Sequence, residues 1–474
     1  MAESLETDVV VIGGGAVGEN AAGRVVQGGL EAILVETALV GGECSYWACM
    51  PSKALLRPGT VLAEARAVDG SRQASTGSLD VAAVLKRRDS FTSDWDDSGQ
   101  VDWVKETGIG LVRGRARLVG ERTVEVTDDA GVQARIHARQ AVVLATGSSP
   151  VAPPLDGLAS VEYWGTADAT SSREVPSSLL VIGGGVAGTE LAQAYARLGS
   201  DVSMTVRHNL LDMFPRPASE LVEESLRADG VKIHTGTSPE RVFPDGSGGV
   251  VLALPGGGQL QGDRLLVATG RRPALHGLGL EDLGLDPESL TSDDSGLVPA
   301  AGTWLYVVGD AAGKVLLTHQ GKYEARAAGA AIAARAKGDI GFETPPAWSR
   351  FAATADHAAV PQVVFTDPEI AMVGLRPEQA RERGIRASDT SLPISVAGSA
   401  LFADGYQGWA QMVVDEDRGI PVGFTFAGPG VAELLHAATI AVTGEVPLER
   451  LWHAVPAYPT ISEVWLRLLE KYGL

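Results

Sequence analysis

The sequence predicts an α/β chain, with two doubly wound dinucleotide-binding modules followed by a C-terminal α+β unit. Three observations predict it. One strand–glycine turn–helix pattern occurs twice, at Gly13 and again at Gly183. Each copy is followed, after intervening chain, by a buried strand that ends in Thr-Gly. Beyond Thr344-Pro345-Pro346, short alternating strands are followed by one apolar helix.

The first copy opens with Val9-Val10-Val11-Ile12, a continuous apolar run typical of a strand covered on both faces. It runs into Gly13, Gly15 and Gly18 at G-x-G-x-x-G spacing, and then into Glu19-Asn20-Ala21-Ala22, which favours helix. At such a turn the first glycine permits the bend, the second admits a pyrophosphate and the third lets helix pack on strand. The next apolar run, Ala32 to Val35, ends in Glu36, where a carboxylate can accept hydrogen bonds from an adenosine ribose.

The second copy repeats the unit with Leu179 to Ile182, then Gly183, Gly185 and Gly188. Its following strand, Val202 to Val206, ends in Arg207-His208 rather than an acid. A cation there suits a 2′-phosphate, so NADPH is expected ahead of NADH; a solvated basic turn is the alternative. The strand ends Val142 to Gly147 and Leu266 to Gly270 close the two modules, and Leu305 to Asp310 is a further buried strand ending at an acid. The expected divisions are 1–150, 151–272, 273–345 and 346–474. The last unit should hold strands at 362–365, 410–414 and 422–426 and a helix over 431–443.

Composition narrows the function. With 39 basic and 59 acidic residues the formal charge is −20. That balance disfavours nucleic acid and anionic membrane surfaces as partners. Glycine is abundant, 58 of 474 residues, as tight turns and close backbone–ligand approaches require. No run approaches a membrane span, and the acidic start has no secretory pattern, so a cytoplasmic location is expected.

Only two cysteines occur, Cys44 and Cys49, too few for a secreted disulfide scaffold. An isolated pair in a reducing compartment is catalytic, metal-binding or merely buried. The spacing exceeds that of a zinc knuckle and no second ligand pair exists, so no metal site is expected.

The segment Gly41-Gly42-Glu43-Cys44-Ser45-Tyr46-Trp47-Ala48-Cys49-Met50-Pro51-Ser52-Lys53 resembles the redox-disulfide signature of the FAD-dependent pyridine nucleotide–disulfide oxidoreductases, the family of glutathione reductase, dihydrolipoamide dehydrogenase and mercuric reductase. The resemblance extends over both glycine fingerprints, Gly309-Asp310, Leu317-Thr318-His319, Val363 to Glu369 and Pro459 to Glu463. Ala48 departs from the family's usual glycine.

What the resemblance implies is an electron path from NAD(P)H to FAD, and from FAD to a Cys44–Cys49 disulfide. Cys49 would lie against the flavin and Cys44 would face substrate. Lys53, paired with Glu190, would stand by the ring. Asp310 would bind the ribityl chain, and the helix opening at Thr318 would direct its positive end at the flavin. Glu36, Gly42, Ala116 and Thr146-Gly147 would line the FAD, and Gly270 would line the nicotinamide nucleotide. The Rossmann-like modules would be joined by a dimerisation domain, giving a homodimer whose active site is shared across the interface.

One position departs in a way that bears on substrate. Relatives that exchange disulfides carry a histidine before Pro-Thr, oriented by a glutamate; here Tyr458 precedes Pro459-Thr460, with Glu463 following. An unperturbed tyrosine has a pKa of about 10 against about 6.5 for histidine, so it is a poor base for oxidising a dithiol. It can still hold or protonate a leaving thiolate, or simply wall the pocket. Thr460-Ile461-Ser462-Glu463 also has the form of a capping box, a second role open to Glu463. The expected function is NAD(P)H-dependent reduction of a small disulfide or thiol-reactive electrophile. Direct flavin reduction of quinones or metal ions is the enzymatic alternative, and a non-catalytic flavoprotein redox sensor the alternative of another kind.

Overall fold

The computed structural model describes residues 3–474. Its contacts divide the chain into two compact units: Met1–Met50 with Asp89–Val151 and Arg271–Asp356, and Pro51–Arg88 with Ala152–Gly270 and His357–Leu474.

The first unit is built on a sheet whose central strand is Glu3–Ile12. It pairs in parallel with Ala32–Glu36 on one side and Gly131–Leu144 on the other, and Leu305–Val307 continues the parallel set. Val9, Val10 and Val11 are fully buried, as a parallel strand covered on both faces requires. On one face the helices Ala16–Gln27 and Thr318–Ala336 bring Ala21, Val25, Ala325 and Ile332 onto Val9 and Val11. On the other, Val10, Ile12 and Leu144 meet Leu278, Val298 and Trp304. Each such valine, leucine or isoleucine side chain contributes about 1.5–3 kcal/mol when fully buried.

The central strand begins well before the apolar run at 9–12, because Glu3 to Thr7 pair with Ala134 to Ala138. That pairing extends into an antiparallel meander of Arg115–Gly120, Thr123–Asp128 and Gly131–Leu144. Its residues alternate between buried and exposed.

The second unit carries the second parallel sheet, in the order Lys232–Thr235, Asp201–Val206, Ser178–Ile182 and Arg264–Val267. A three-stranded antiparallel sheet, Arg241–Pro244, Val250–Ala253 and Gln259–Gly262, packs Leu252 and Val242 beneath it against Leu180. The C-terminal part is a five-stranded antiparallel sheet in the order Pro361–Val364, Glu369–Gly374, Ile420–Gly428, Trp409–Asp415 and Ala387–Pro393. The expected helix over 431–443 is a 3₁₀ turn at Val431–Leu434 leading into an α-helix at Leu435–Thr443. No helix among the described residues is long and apolar enough to cross a membrane.

Candidate active site

Both glycine turns have the same internal construction. Gly13 sits at φ +103° and Gly183 at φ +121°, backbone open to glycine. A Cβ on Gly18 would strike the Gly13 carbonyl, and one on Gly188 would come within 2.6 Å of the Gly183 carbonyl. In the first turn Gly13 N–H donates to Val35 O at 2.9 Å, and in the second Gly183 N–H donates to Thr205 O at 3.1 Å. The helices that follow, Ala16–Gln27 and Val186–Arg197, begin after Gly15 and Gly185 with no side-chain cap. Their first amides therefore remain available to an anionic ligand. A Cβ on Gly185 would meet no atom within 4 Å, and Gly15 faces only Gly42 Cα, at 3.7 Å. Both turns fit a pyrophosphate.

Glu36 closes the first turn. Its carboxylate accepts from Gly14 N–H at 2.5 Å and Ala38 N–H at 2.6 Å, which fixes it at the strand end with lone pairs to spare. Gly114 N–H donates to the Glu36 carbonyl, and two residues on Ala116 is buried against Val35 and Ile12. The second turn is closed by Arg207 and His208, both exposed, just after the strand Asp201–Val206. Gly270 lies at φ +131°, with no atom within 4 Å of where its Cβ would stand.

The thiols are held by three helix starts. Cys44 lies in the short helix Gly42–Tyr46, and Cys49 opens the helix Cys49–Arg66. Cys49 Sγ is 3.4 Å from Thr318 Oγ1, at the first residue of the helix Thr318–Ala336, which also lacks a side-chain cap. Cys44 hydrogen-bonds to Cys49, and this raises the Cys44 thiol above its ordinary pKa. Burial and negative charge on Cys49 act the same way, while a hydrogen bond from Thr318 and the charge of Lys322 oppose them. Both cysteines are free thiols, half-buried, the state a reduced pair would have.

Asp310 is tied to this segment through a chain of side chains. Ser148 Oγ donates to Asp310 Oδ2 at 2.5 Å, Arg271 Nε donates to Ser148 Oγ at 2.7 Å, and Arg271 pairs with Glu43, next to Cys44. Thr146 Oγ1 donates to Ala274 O at 2.8 Å, and Ala274 N–H donates to Gly147 O at 3.0 Å, anchoring the same corner. Sequence reasoning missed Ser148 and Arg271; the signal was there, since each directly follows a Thr-Gly strand end.

Beneath Asp310, Glu324 accepts the Gly309 N–H at 2.8 Å. Burial, reinforced by the neighbouring Asp356 carboxylate, raises its pKa to about 8. A carboxyl raised on folding loses its proton first in the unfolded chain, so stability falls as pH climbs from the ordinary carboxylate range to about 8. Glu324→Gln should therefore flatten the decline in melting temperature between pH 5 and 8.5, and gain several degrees over the parent at the upper end. Parallel melting curves for the two proteins would refute this reading of Glu324.

In the second unit, Lys53 Nζ pairs with Glu190 Oε2 at 2.7 Å, and Glu190 Oε1 accepts Phe365 N–H at 2.9 Å. The Lys53 ammonium also stands 4.9 Å from the centre of the Phe365 ring, a partner the sequence reading missed. Tyr458 and Glu463 belong to this unit too. Tyr458 is 78% exposed, whereas Glu463 is buried and accepts Gly398 N–H at 3.2 Å.

The capping box that was one of the roles open to Thr460–Glu463 does not form. Thr460 Oγ1 donates to Ala457 O at 2.6 Å, and no side chain caps the turn. The tight approach of Gly398 to the Thr460 backbone draws the glutamate to that amide instead.

Against this geometry, the profile of the pyridine nucleotide-disulphide oxidoreductase family matches residues 7–333. The dimerisation-domain profile of the same family matches residues 360–468. A dihydrolipoyl dehydrogenase of Thermus scotoductus is 33% identical over 472 residues, covering 98% of this chain and 96% of the relative. A mercuric reductase of Staphylococcus aureus is 30% identical over 465 residues, covering 96% and 80%. Among solved structures, the HOCl-induced flavoprotein disulfide reductase RclA from Escherichia coli superposes with a TM-score of 0.80 at 23% identity, covering 98% of this chain and 99% of the other.

Proposed function

The chain belongs to the pyridine nucleotide-disulphide oxidoreductases, and from that membership we propose that it spends NADPH to reduce a small disulfide or other thiol-reactive electrophile through FAD and the Cys44–Cys49 pair. It is an oxidoreductase of the NAD(P)H-dependent flavin class, and it carries that class's dimerisation domain.

The observation that carries the substrate reading is the pairing of the chain's only two cysteines. They lie five residues apart on adjoining helices, with Cys49 at a helix start and in contact with Thr318, and the proximity of Cys49 raises the Cys44 thiol. Bound FAD would supply the transfer of an electron pair from the nicotinamide to a Cys44–Cys49 disulfide. Glu36, the first glycine turn, Gly42, Ala116, Thr146-Gly147 and Asp310 would hold it. The second turn, with Gly270, Arg207 and His208, would hold NADPH.

From the reduced pair, the Cys44 thiolate attacks one sulfur of a substrate disulfide R–S–S–R. A Cys44–S–S–R bond forms and one R–S⁻ leaves. The Cys49 thiolate then attacks Cys44, restores the Cys44–Cys49 disulfide and releases the second R–S⁻. Two electrons reach the substrate, and the two protons released by Cys44 and Cys49 balance the two R–SH products.

Tyr458, exposed in the single chain, is suited to complete a partner's pocket across a homodimer, as a proton donor to a leaving thiolate or as a wall. Glu463, held by the Gly398 amide, would position that turn. Domain limits of 1–150, 151–272, 273–345 and 346–474 and a cytoplasmic location belong to the same reading.

Anaerobic titration tests the nucleotide and the path together. NADPH should bleach the flavin and then produce long-wavelength absorbance from the reduced protein, at lower concentration than NADH. Arg207→Ala should cut the NADPH-to-NADH preference by at least ~10-fold, the loss of about one charge-assisted contact to a phosphate. An unchanged ratio would mean that Arg207 is only a solvated turn residue.

A further inference from the structure

One guanidinium joins the Asp310 corner to the thiol segment. Arg271 opens the strand Arg271–Pro273, which pairs antiparallel with Ser148–Pro150. Its Nε donates to Ser148 Oγ at 2.7 Å, its Nη2 donates to Ser148 O at 2.7 Å, and the same Nη2 reaches Glu43 Oε2. Ser148 Oγ in turn donates to Asp310 Oδ2 at 2.5 Å, so the hydroxyl that fixes Arg271 is itself fixed.

Glu43 lies beside the cradle fitted to a pyrophosphate. It directly follows the contact between the thiol segment and the first glycine turn. There Gly41 N–H donates to Gly14 O at 2.8 Å, and a Cβ on Gly42 would stand 2.7 Å from Gly15 Cα. Gly15 and Gly41 also form an isolated parallel bridge. All of these residues belong to the first unit. A diphosphate entering that cradle is an anion arriving next to a carboxylate, and an unpaired carboxylate would repel it.

We propose that Arg271 is the charge-compensating residue of the flavin site, neutralising Glu43 so that the diphosphate of FAD can settle beside it, with Ser148 holding the guanidinium in place. The inference rests on the reading that the first glycine turn and Asp310 hold FAD. A purely structural role accounts for the arrangement less well. The Arg271 and Glu43 side chains are 26% and 48% exposed, and an ion pair that open adds little to folding. The strand pairing of Arg271–Pro273 with Ser148–Pro150 does not depend on it. Removing the guanidinium should therefore cost flavin rather than fold.

The test is serial dilution of the purified holoenzyme at low and at high salt, with released FAD read as regained flavin fluorescence. Arg271→Gln should raise the FAD dissociation constant by ~10-fold or more at low salt, and by less at high salt, where the repulsion is screened. Arg271→Lys should fall between parent and Arg271→Gln, since one ammonium lacks the fork that spans Ser148 and Glu43 together. Glu43→Gln is the mild variant. It should hold FAD several-fold more tightly than the parent, because the Arg271 charge then faces the diphosphate uncompensated. Combined with Arg271→Gln, it should recover most of the affinity lost. Far-ultraviolet circular dichroism should match the parent throughout. An unchanged dissociation constant in Arg271→Gln overturns the inference, as does a double variant no tighter than Arg271→Gln, or Glu43→Gln holding FAD no more tightly than the parent. A parent that takes up no FAD at all overturns instead the cofactor reading on which the inference rests.

Discussion

Cys44→Ser should lower NADPH-driven reduction of a small disulfide by at least ~10³-fold, because the nucleophile that opens the substrate S–S bond is then gone. Flavin bleaching by NADPH should survive, since nothing in that half of the path needs the outer sulfur. Cys49→Ser should be equally inactive toward the disulfide, for a different reason. The mixed disulfide at Cys44 would form once and then have no neighbouring thiolate to resolve it, so one equivalent of thiol per site would be released before turnover stops. The two variants thus separate attack from resolution. A quinone acceptor supplies the contrast: if Cys44→Ser retains full turnover with a quinone and the parent shows no activity with any disulfide, electrons leave directly from the flavin and the sulfur route is wrong.

Much of this frame was legible because it rests on local chemistry. The glycine turns declare themselves by spacing, since only glycine fits where a Cβ would strike a carbonyl, as at Gly13 and Gly18. Glu36 and Arg207 could be placed because Glu36 ends the strand after the first turn and Arg207 directly follows the strand after the second. The antiparallel sheets were harder to read. Residues such as Arg115 to Gly120 alternate in burial with polar outer faces, and nothing in so short a stretch distinguishes a strand from a polar loop. The failed capping box shows a limit of another kind. Thr460 and Glu463 have the right identities and spacing, but the close approach of Gly398, sixty-odd residues earlier in the chain, redirects the glutamate. The buried Glu19 Oε1 without a hydrogen bond is of the same nature, because lacking a partner is a property of three-dimensional surroundings.

Lys53→Met should be the most damaging substitution away from the sulfurs. Glu190 has a side chain only 3% exposed, against 34% for Lys53, so the pair is asymmetric. The lysine could partly return to water, but the carboxylate could not. Losing the ammonium would leave Glu190 ionised in a buried site with one remaining donor, Phe365 N–H, and no charge to offset it. Breaking a buried pair in this way costs ~3–5 kcal/mol, and the lower end fits because Lys53 is partly solvated. Much of that loss should be recovered in Lys53→Met with Glu190→Gln, where no stranded charge remains. Activity should not follow stability. If the ammonium stands by the flavin, as the family resemblance implies, both variants should slow bleaching by NADPH by ~10²–10³-fold, the scale of removing one preorganised electrostatic group. A double variant that regains both melting temperature and bleaching rate would reduce Lys53 to a structural counter-ion for Glu190. One that regains only the first would show that its charge also acts on the reaction.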